Sequence, residues 1–556
     1  MPTTNNLESP RGRERNPDRT YVRRYAPAFV YAVLSVIAIY PVLITDIPSL
    51  VDYPAHLAGI HIQMAIADNP ALQAHYTLHW RPLPNLAMEV VVPLLVRVVS
   101  LFDAGRIFIG AAILLPVAGT VVLRKVLHGR VGYAPAFAFI PAYNIALAWG
   151  FLNFLVGSGL CLLAFAGWIA SRHWRAPARM VLFSAVALVL YFTHLLAFAA
   201  YAVMVAAFAL QPVLASARWF TRRNLAALAI DGAQFIGPAL LLLPALFSGE
   251  AGYSEFKGVA SRFKALFSPA YSVGSAADLL VFILAVMFLY WAVRNRRITL
   301  VPEIRLPLIS IILFAAVIPE WLMQAWGANI RLPTIAVLIV LAAARLQLPP
   351  MRGQLVLSGV FFVLFIIRVW DVSEFWVEDA HKFAEFRAAA ASIPVGARVI
   401  PVQAKLDGTL DIRGGFAQAY WTMPTLLAID RSAFIPNLFT DASKHLVSVT
   451  PANYQIDTPF GRPADLEQTV SGAAYELRGA PAPFDRYGSR EFWTDWPHRF
   501  DYMVVVNETR PILGLEPLLQ PVHRGSFFAI YRIVPGSCSI DPTAQEDYVP
   551  FCTRDG

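Results

Sequence analysis

Acids and bases crowd one short stretch of this chain. Between positions 46 and 85 stand Asp46, Asp52, His56, His61, Asp68, His75, His79 and Arg81, in a protein of 556 residues with only 11 histidines. Asp52 and His56 are four apart, so a helix starting at Tyr53 brings them onto one face, with His61 nearby. A carboxylate in such company can take a proton from an attacking group. The plainer reading is a surface helix whose polar residues face water, which suits Asp68 and His75 better than Asp52. Zinc hydrolysis would call for ligands spaced as in HExxH, and no such spacing occurs.

The elements that must position this cluster follow from hydropathy. The chain is 57% hydrophobic and 15% charged, against about 25% charged in soluble domains, and its mean hydropathy is +0.54. A single soluble globular protein is excluded. The net charge is +8 and the pI about 9.4, but the basic residues lie at the ends of apolar blocks. They read as topology signals rather than nucleic-acid contacts.

Arg11, Arg13, Arg15, Arg19, Arg23 and Arg24 precede the first block, 26–45, which at roughly 20 residues is a full span. No small-residue cleavage site follows it, so it is retained and residues 1–25 form a disordered cytoplasmic tail. The block 86–102 is interrupted by Glu89, Pro93 and Arg97, each costly or disruptive at mid-bilayer. It reads as an amphipathic helix on the outer surface. Spans follow at 106–124, 133–149, 151–170, 181–192, 195–214, 225–247, 276–293, 306–322, 332–344 and 355–370, about eleven in all. This count puts the groups Arg172, Arg175, Arg179; Arg218, Arg222, Arg223; Arg294, Arg296, Arg297, Arg305; and Arg345, Arg352 inside, as positive residues prefer.

The fold class expected is therefore a polytopic α-helical membrane protein with a soluble C-terminal α/β domain. The membrane body covers 26–370, with a first outer loop at 46–105. An odd number of spans places 371–556 outside, in the periplasm if a bacterial inner membrane is the host. In that domain 381–392 has helical character, and 398–402, 501–506 and 527–534 read as strands. Three cysteines rule out a disulfide scaffold. Cys538 and Cys552 face an oxidising compartment and suit a disulfide, while Cys161 belongs to a helix core.

Four short motifs resemble those of the GT-C superfamily of polyprenyl-phosphate-sugar glycosyltransferases, which includes protein O-mannosyltransferases and the aminoarabinose transferase of lipid A. Asp52-Tyr53-Pro54-Ala55-His56-Leu57-Ala58 stands where that family has Asp-Glu followed by an aromatic and small residues. Arg81-Pro82-Leu83-Pro84-Asn85 stands where a Pro-Pro-Leu segment opens the surface helix. Lys125-Val126-Leu127-His128-Gly129-Arg130 matches a cytoplasmic turn, and Ile330-Arg331-Leu332-Pro333 is similar to an Arg-Tyr-Leu-Leu-Pro segment opening a late span. The resemblance spans the membrane body in order. Tyr53 departs from it by replacing a second acid, which weakens metal binding by paired carboxylates and leaves a divalent cation, Mg or Mn, an open question.

The resemblance implies transfer of a sugar from a polyprenyl phosphate to a lipid, glycan or protein acceptor on the outer face. The departing phosphate is a weak base, so one carboxylate to accept a proton and one or two cations to hold the phosphate suffice. Asp52 is the expected base and Asp46 the second choice. Arg331 opens a span from the outer side and can offer a bidentate fork; its alternative role is to snorkel to headgroups. Lys257, Arg262 and Lys264, in the loop after 247, come next. His56, Arg81, His194 and Glu320 complete the expected substrate-binding set, with Glu320 also able to pair with Arg331. Two rivals remain. A secondary transporter predicts inverted repeats and midplane ionisable groups, and a silent scaffold for envelope polysaccharide predicts a working C-terminal domain without a catalytic pair.

Overall fold

Apolar segments removed from water must satisfy their own backbone polar groups, and they do so here as helices. The computed structural model describes residues 17–215, 221–247, 254–323, 325–347, 351–404, 420–458, 461–473, 491–507, 515–539 and 551–554. The helices that matter for the site are α1 (Pro17–Ile44), α2 (Tyr53–Ala65), α3 (Ala87–Leu95), α4 (Leu101–His128), α5 (Leu152–Ala170), α6 (Ala176–Thr193), α7 (Leu195–Ala215), α8 (Arg222–Ala233), α9 (Ile236–Phe247), α10 (Val259–Phe267), α11 (Ala276–Arg294), α12 (Arg305–Val317), α13 (Ala328–Ala343) and α14 (Met351–Ala389).

Seven of these, α1, α4, α5, α6, α7, α11 and α14, are long and apolar enough to cross a membrane, and α8 with α9, bent by 60°, makes an eighth if counted as one span. The expected number of about eleven is not reached by long helices. Helices α12 and α13 have only 13 and 16 residues. The stretch 133–149 is no continuous helix: it comprises the 3-10 helix Ala134–Phe139 and the single turn Ile145–Ala148. That irregular stretch runs through the interior of the bundle, with Pro135, Ala138, Phe139 and Asn144 buried. Such backbone is tolerated at depth only when enclosed by protein, and Asn144 serves it directly, accepting from Ala146 and Leu147 N–H and donating to Pro141 O at 2.8 Å.

The block at 86–102 forms a short helix followed by a turn. Helix α3 is nine residues long, about 14 Å at 1.5 Å per residue, far too short to span. It buries Met88 and Val92 while Val90, Val91 and Leu94 are exposed, the amphipathic pattern of a surface helix. The tail expected at 1–25 lies outside the described residues up to position 16, and α1 begins at Pro17.

The last helix does not stop at Trp370. Helix α14 continues through 39 residues to Ala389 and enters the C-terminal domain, which is built on a mixed five-stranded sheet. With β1 (Tyr76–Leu78), β2 (Val399–Gln403), β3 (Val447–Val449), β4 (Ala464–Asp465), β5 (Tyr502–Val506), β6 (Leu519–Arg524) and β7 (Phe528–Ile533), the sheet order is β6-β7-β5-β2-β4. The central pair β2–β5 is parallel, with Val402 opposite Val505; β5–β7 and β6–β7 are antiparallel. Strand β5 is buried almost end to end, as a β-branched run between two covered faces should be. Two further strands, β8 (Gly536–Ser539) and β9 (Phe551–Arg554), pair with Cys538 opposite Cys552. Cys552 is disulfide-bonded, and Cys161 is free and buried.

The first outer loop and this domain share one interior. Strand β1 pairs with β3, and Ala55, Ala58, Ile62, Leu72 and Tyr76 pack in a single cluster with Val402, Met503 and Val505. A second tie is polar. Asp379 on α14 accepts from Ser49 Oγ and Tyr420 OH, each at 2.5 Å, and from Lys382 Nζ at 3.3 Å.

Candidate active site

Asp52 sits at the start of α2, where an aspartate would ordinarily spend its carboxylate on the helix's first N–H groups. Here it makes no such cap, and Pro54 occupies the first turn without an N–H to offer. The backbone, not the side chain, fixes its place. Val51 N donates to Ala148 O at 3.0 Å and Asp52 N to Trp149 O at 3.1 Å. Gly150 follows with φ +80°, and a Cβ there would lie 3.0 Å from Asp52 N and 3.2 Å from Asp52 Cβ. Only glycine allows both this left-handed turn and this approach. Thr422 of the C-terminal domain closes the other side by donating to Val51 O.

Among the described residues the Asp52 carboxylate has no hydrogen-bond partner and no ion pair within 4 Å. Burial pushes its pKa up to about 6, and the charges of His56 and Arg331 restrain the rise. A free carboxylate poised near neutrality is what a general base requires.

Arg331 faces it from the first turn of α13, which starts after Gly327 at φ +77°. Its side chain is 9% exposed. The guanidinium lies 3.8 Å from the Phe151 ring centre, Nη2 donates to Trp326 O at 3.0 Å, and Nε has no hydrogen-bond partner among the described residues. Nη1 stands 3.4 Å from His194 Nε2. His194, the residue between α6 and α7, accepts Leu196 N–H on Nδ1 at 3.1 Å, so a neutral ring carries its proton on Nε2. Arg331 Nη1 and His194 Nε2 are then both donors, with no acceptor between them among the described residues. Trp149, Phe151, Trp326 and Trp421 form the wall of this region, with Trp149 and Trp326 ring centres 4.3 Å apart and Trp149 and Trp421 6.0 Å apart.

On the other side of Asp52, His56 Nδ1 lies 3.6 Å from Glu89 Oε1. Burial lowers the imidazole's pKa, but the Glu89 carboxylate beside it and the charge of Asp52 more than offset it, so the net shift is upward. Glu89 is affected inversely: burial raises it and His56 brings it below the usual carboxylate value. Phe439 and His445 from the C-terminal domain complete a small cavity with His56, Gln63 and Glu89. Burial drives His445 down to about 4, so it is neutral at physiological pH.

The remaining expected residues do not join this group. Asp46 is 97% exposed, 3.9 Å from Arg106. Arg81 is exposed and reaches Ala442 O at 3.4 Å. Lys257 and Lys264 are exposed, and Arg262 is committed to Ile318 O. Glu320 forms no ion pair with Arg331 among the described residues; it accepts from Ser261 Oγ and, at 2.9 Å, from Trp326 Nε1. It thus supports the tryptophan whose carbonyl holds Arg331. Tyr53 is fully buried. No set of three or more His, Cys, Asp and Glu side chains among the described residues is arranged to hold a metal ion.

Sequence reasoning missed Glu89 as a site residue, reading it only as an obstacle to a span, and it missed His445 and the aromatic wall. The signal available for Glu89 was the cost of an acid in an apolar helix. Trp149 and Phe151 flank Gly150 in the sequence, but nothing local to them indicates that they meet Trp326 and Trp421.

No family model matches the sequence, and no curated protein matches it. Among solved structures, the chain is similar to ArnT from Cupriavidus metallidurans bound to undecaprenyl phosphate, with a TM-score of 0.49 and 13% identity, over 91% of this chain and 98% of that one.

Proposed function

We propose that this multi-pass membrane protein is a GT-C-like glycosyltransferase that moves a sugar from a polyprenyl phosphate to an acceptor on the outer face of a bacterial inner membrane. The observation that carries the reading is an uncapped, uncommitted carboxylate and a buried guanidinium that sense each other beside one aromatic group, with Trp149 against the Asp52 backbone and Phe151 and Trp326 against Arg331. Asp52 takes the proton of the acceptor's attacking group as that group bonds to the sugar's anomeric carbon. The bond from that carbon to the phosphate oxygen breaks, and the charge left on the lipid phosphate falls to Arg331 and the Nε2–H of His194, two donors converging on one acceptor position. Attack opposite the leaving group inverts the anomeric centre.

The topology we propose has the N-terminus inside and residues 371–556 outside, with about eleven crossings if passages rather than long helices are counted. The three beyond the long helices are 133–149, α12 and α13. In support, 133–149 begins beyond His128, at the end of α4 that carries Lys125, and finishes at Trp149 against Asp52. Likewise α13 begins beside Trp326 and ends where Arg124 donates to Ala344 O at 2.8 Å. The end remote from Asp52 gathers Arg124, Lys125, Arg130 and Arg345, as an inner face should.

The Asp278–Arg368 pair, 2.9 Å apart and 1% exposed on each side, is buried as a transporter's coupling site would be, but Asp278 stands in the first turn of α11 rather than at mid-helix. Asp278 is already engaged by Ser272 Oγ and by the N–H groups of Ser272, Val273 and Gly274. A carboxylate so fully occupied is a latch rather than a carrier site. The test is Asp52→Asn in membranes supplied with radiolabelled polyprenyl-phosphate sugar. Loss of a general base should slow transfer by about 10²–10⁴-fold; unchanged transfer removes Asp52 from the mechanism.

A further inference from the structure

Glu89 is carried on a surface helix, yet its side chain is only 14% exposed. Two neighbouring helices hold it. Asn85 O accepts Asn153 Nδ2 at 2.6 Å, and Met88 N donates to Asn153 Oδ1 at 2.8 Å, which pins the start of α3 to α5. The same Asn153 amide lies 3.3 Å from Glu89 Oε2, and Gln63 of α2 donates to Glu89 O at 3.1 Å. The other carboxylate oxygen is thereby aimed at His56, whose ring is backed by Phe439 with centres 5.3 Å apart. A buried carboxylate needs a partner, and the one provided here belongs to the residue one helical turn from Asp52.

We infer that Glu89 is a positioning residue for the base: it fixes the His56 ring one helical turn from Asp52, so that Asp52 has two positive neighbours when His56 is protonated, His56 itself and Arg331. The inference rests on the sugar-transfer reading of Asp52. The titratable and charged groups around His56 are Asp52 from α2, Glu89 from α3 and, from the C-terminal domain, His445 with Asp441 and Lys444 behind it; Arg331 faces Asp52 from α13. Binding of a lipid phosphate at Arg331 offsets one of the two cations. His56 then sets how basic Asp52 becomes in the complex.

Glu89→Gln keeps the shape and removes the charge. In full-length protein in detergent, with ¹³C-labelled histidine rings and the His56 signal assigned by its loss in His56→Asn, the His56 titration midpoint should fall by about one pH unit in Glu89→Gln. It should recover in Glu89→Asp. In transfer assays, the acid limb of the kcat/KM profile should move to higher pH in both Glu89→Gln and His56→Asn, because Asp52 loses a neighbouring positive charge. The double variant should show no further move. A merely structural role would lower the rate equally at all pH values and leave the limb in place. An unmoved midpoint, or a uniform loss with an unmoved limb, overturns the inference. A wild-type protein that transfers no sugar overturns the functional reading instead, and the His56 titration still decides whether Glu89 controls the ring.

Discussion

At the scale of single residues, the site turns on a carboxylate that is given nothing to do structurally. Most aspartates at a helix start are consumed as caps, whereas Asp52 is set in place by its backbone and its side chain is left to the cavity. With its pKa pushed up to about 6 by burial, Asp52 can serve as the proposed base only above that pH, so on that proposal the acid limb of kcat/KM for the free protein should lie near pH 6. The sign for stability is opposite. A carboxyl raised above its unfolded value binds its proton more tightly when folded, so its contribution improves as pH falls through 6 and is worst where it is ionised. Asp52→Asn should therefore be at least as heat-stable as the native protein at pH 7.5 even as its transfer is slowed, and thermal unfolding in detergent would check the stability. The spacing of Asp52 and His56 was legible in the sequence, because four residues on a helix are neighbours wherever the helix lies. Glu89 was not, because its partner is 33 positions away on another helix.

At the scale of elements, Asn153 does the joining. Its amide ties the first residues of α3 to α5, and Asn85 Oδ1 accepts Leu195 N at 2.9 Å, extending the tie to the turn that carries His194. Replacing Asn153 by Ala leaves the buried Met88 N–H without its partner, at a cost of about 1–3 kcal/mol, and strips the half-buried Asn85 carbonyl of the same amide. The expected outcome is a lower unfolding temperature together with reduced transfer, since Glu89 and His194 both lose their reference point. Strand segments of the C-terminal sheet were readable within a residue or so: 398–402 against Val399–Gln403 and 501–506 against Tyr502–Val506. Apolar, β-branched runs bounded by turns have few alternatives. The stretch 133–149 was misread as a helix because hydropathy reports burial, not hydrogen bonding. Enclosure by neighbouring helices let Pro135, Pro141 and Asn144 break it.

At the scale of the molecule, the first outer loop and the C-terminal domain are one body on one side of a helical bundle, so the site is a junction of parts distant in sequence. Inside the bundle the Asp278–Arg368 pair joins α11 to α14, with Arg368 also donating to Tyr143 O. Breaking a buried pair by removing one partner typically costs about 3–5 kcal/mol, while replacing both by apolar groups is far milder. Arg368→Met should thus lower the unfolding temperature sharply, and adding Asp278→Asn, which removes the orphaned charge but keeps an acceptor for the Ser272, Val273 and Gly274 N–H groups, should restore part of the loss, with both measured on the same detergent-solubilised preparation.

Composition and pattern alone determined that this chain is a polytopic helical membrane protein with a polar C-terminal domain, because the cost of exposing apolar residues to water and charges to lipid is local and additive. They also marked Asp52 and Arg331, since acids and guanidinium groups beside apolar blocks are costly enough to stand out. Only the tertiary structure decided that these two share one aromatic wall, that Asp46 and the lysines do not, and that Glu89 points inward. Those outcomes depend on which distant segments pack together, and electrostatic and hydrogen-bond partners more than a few turns apart leave no local pattern to read.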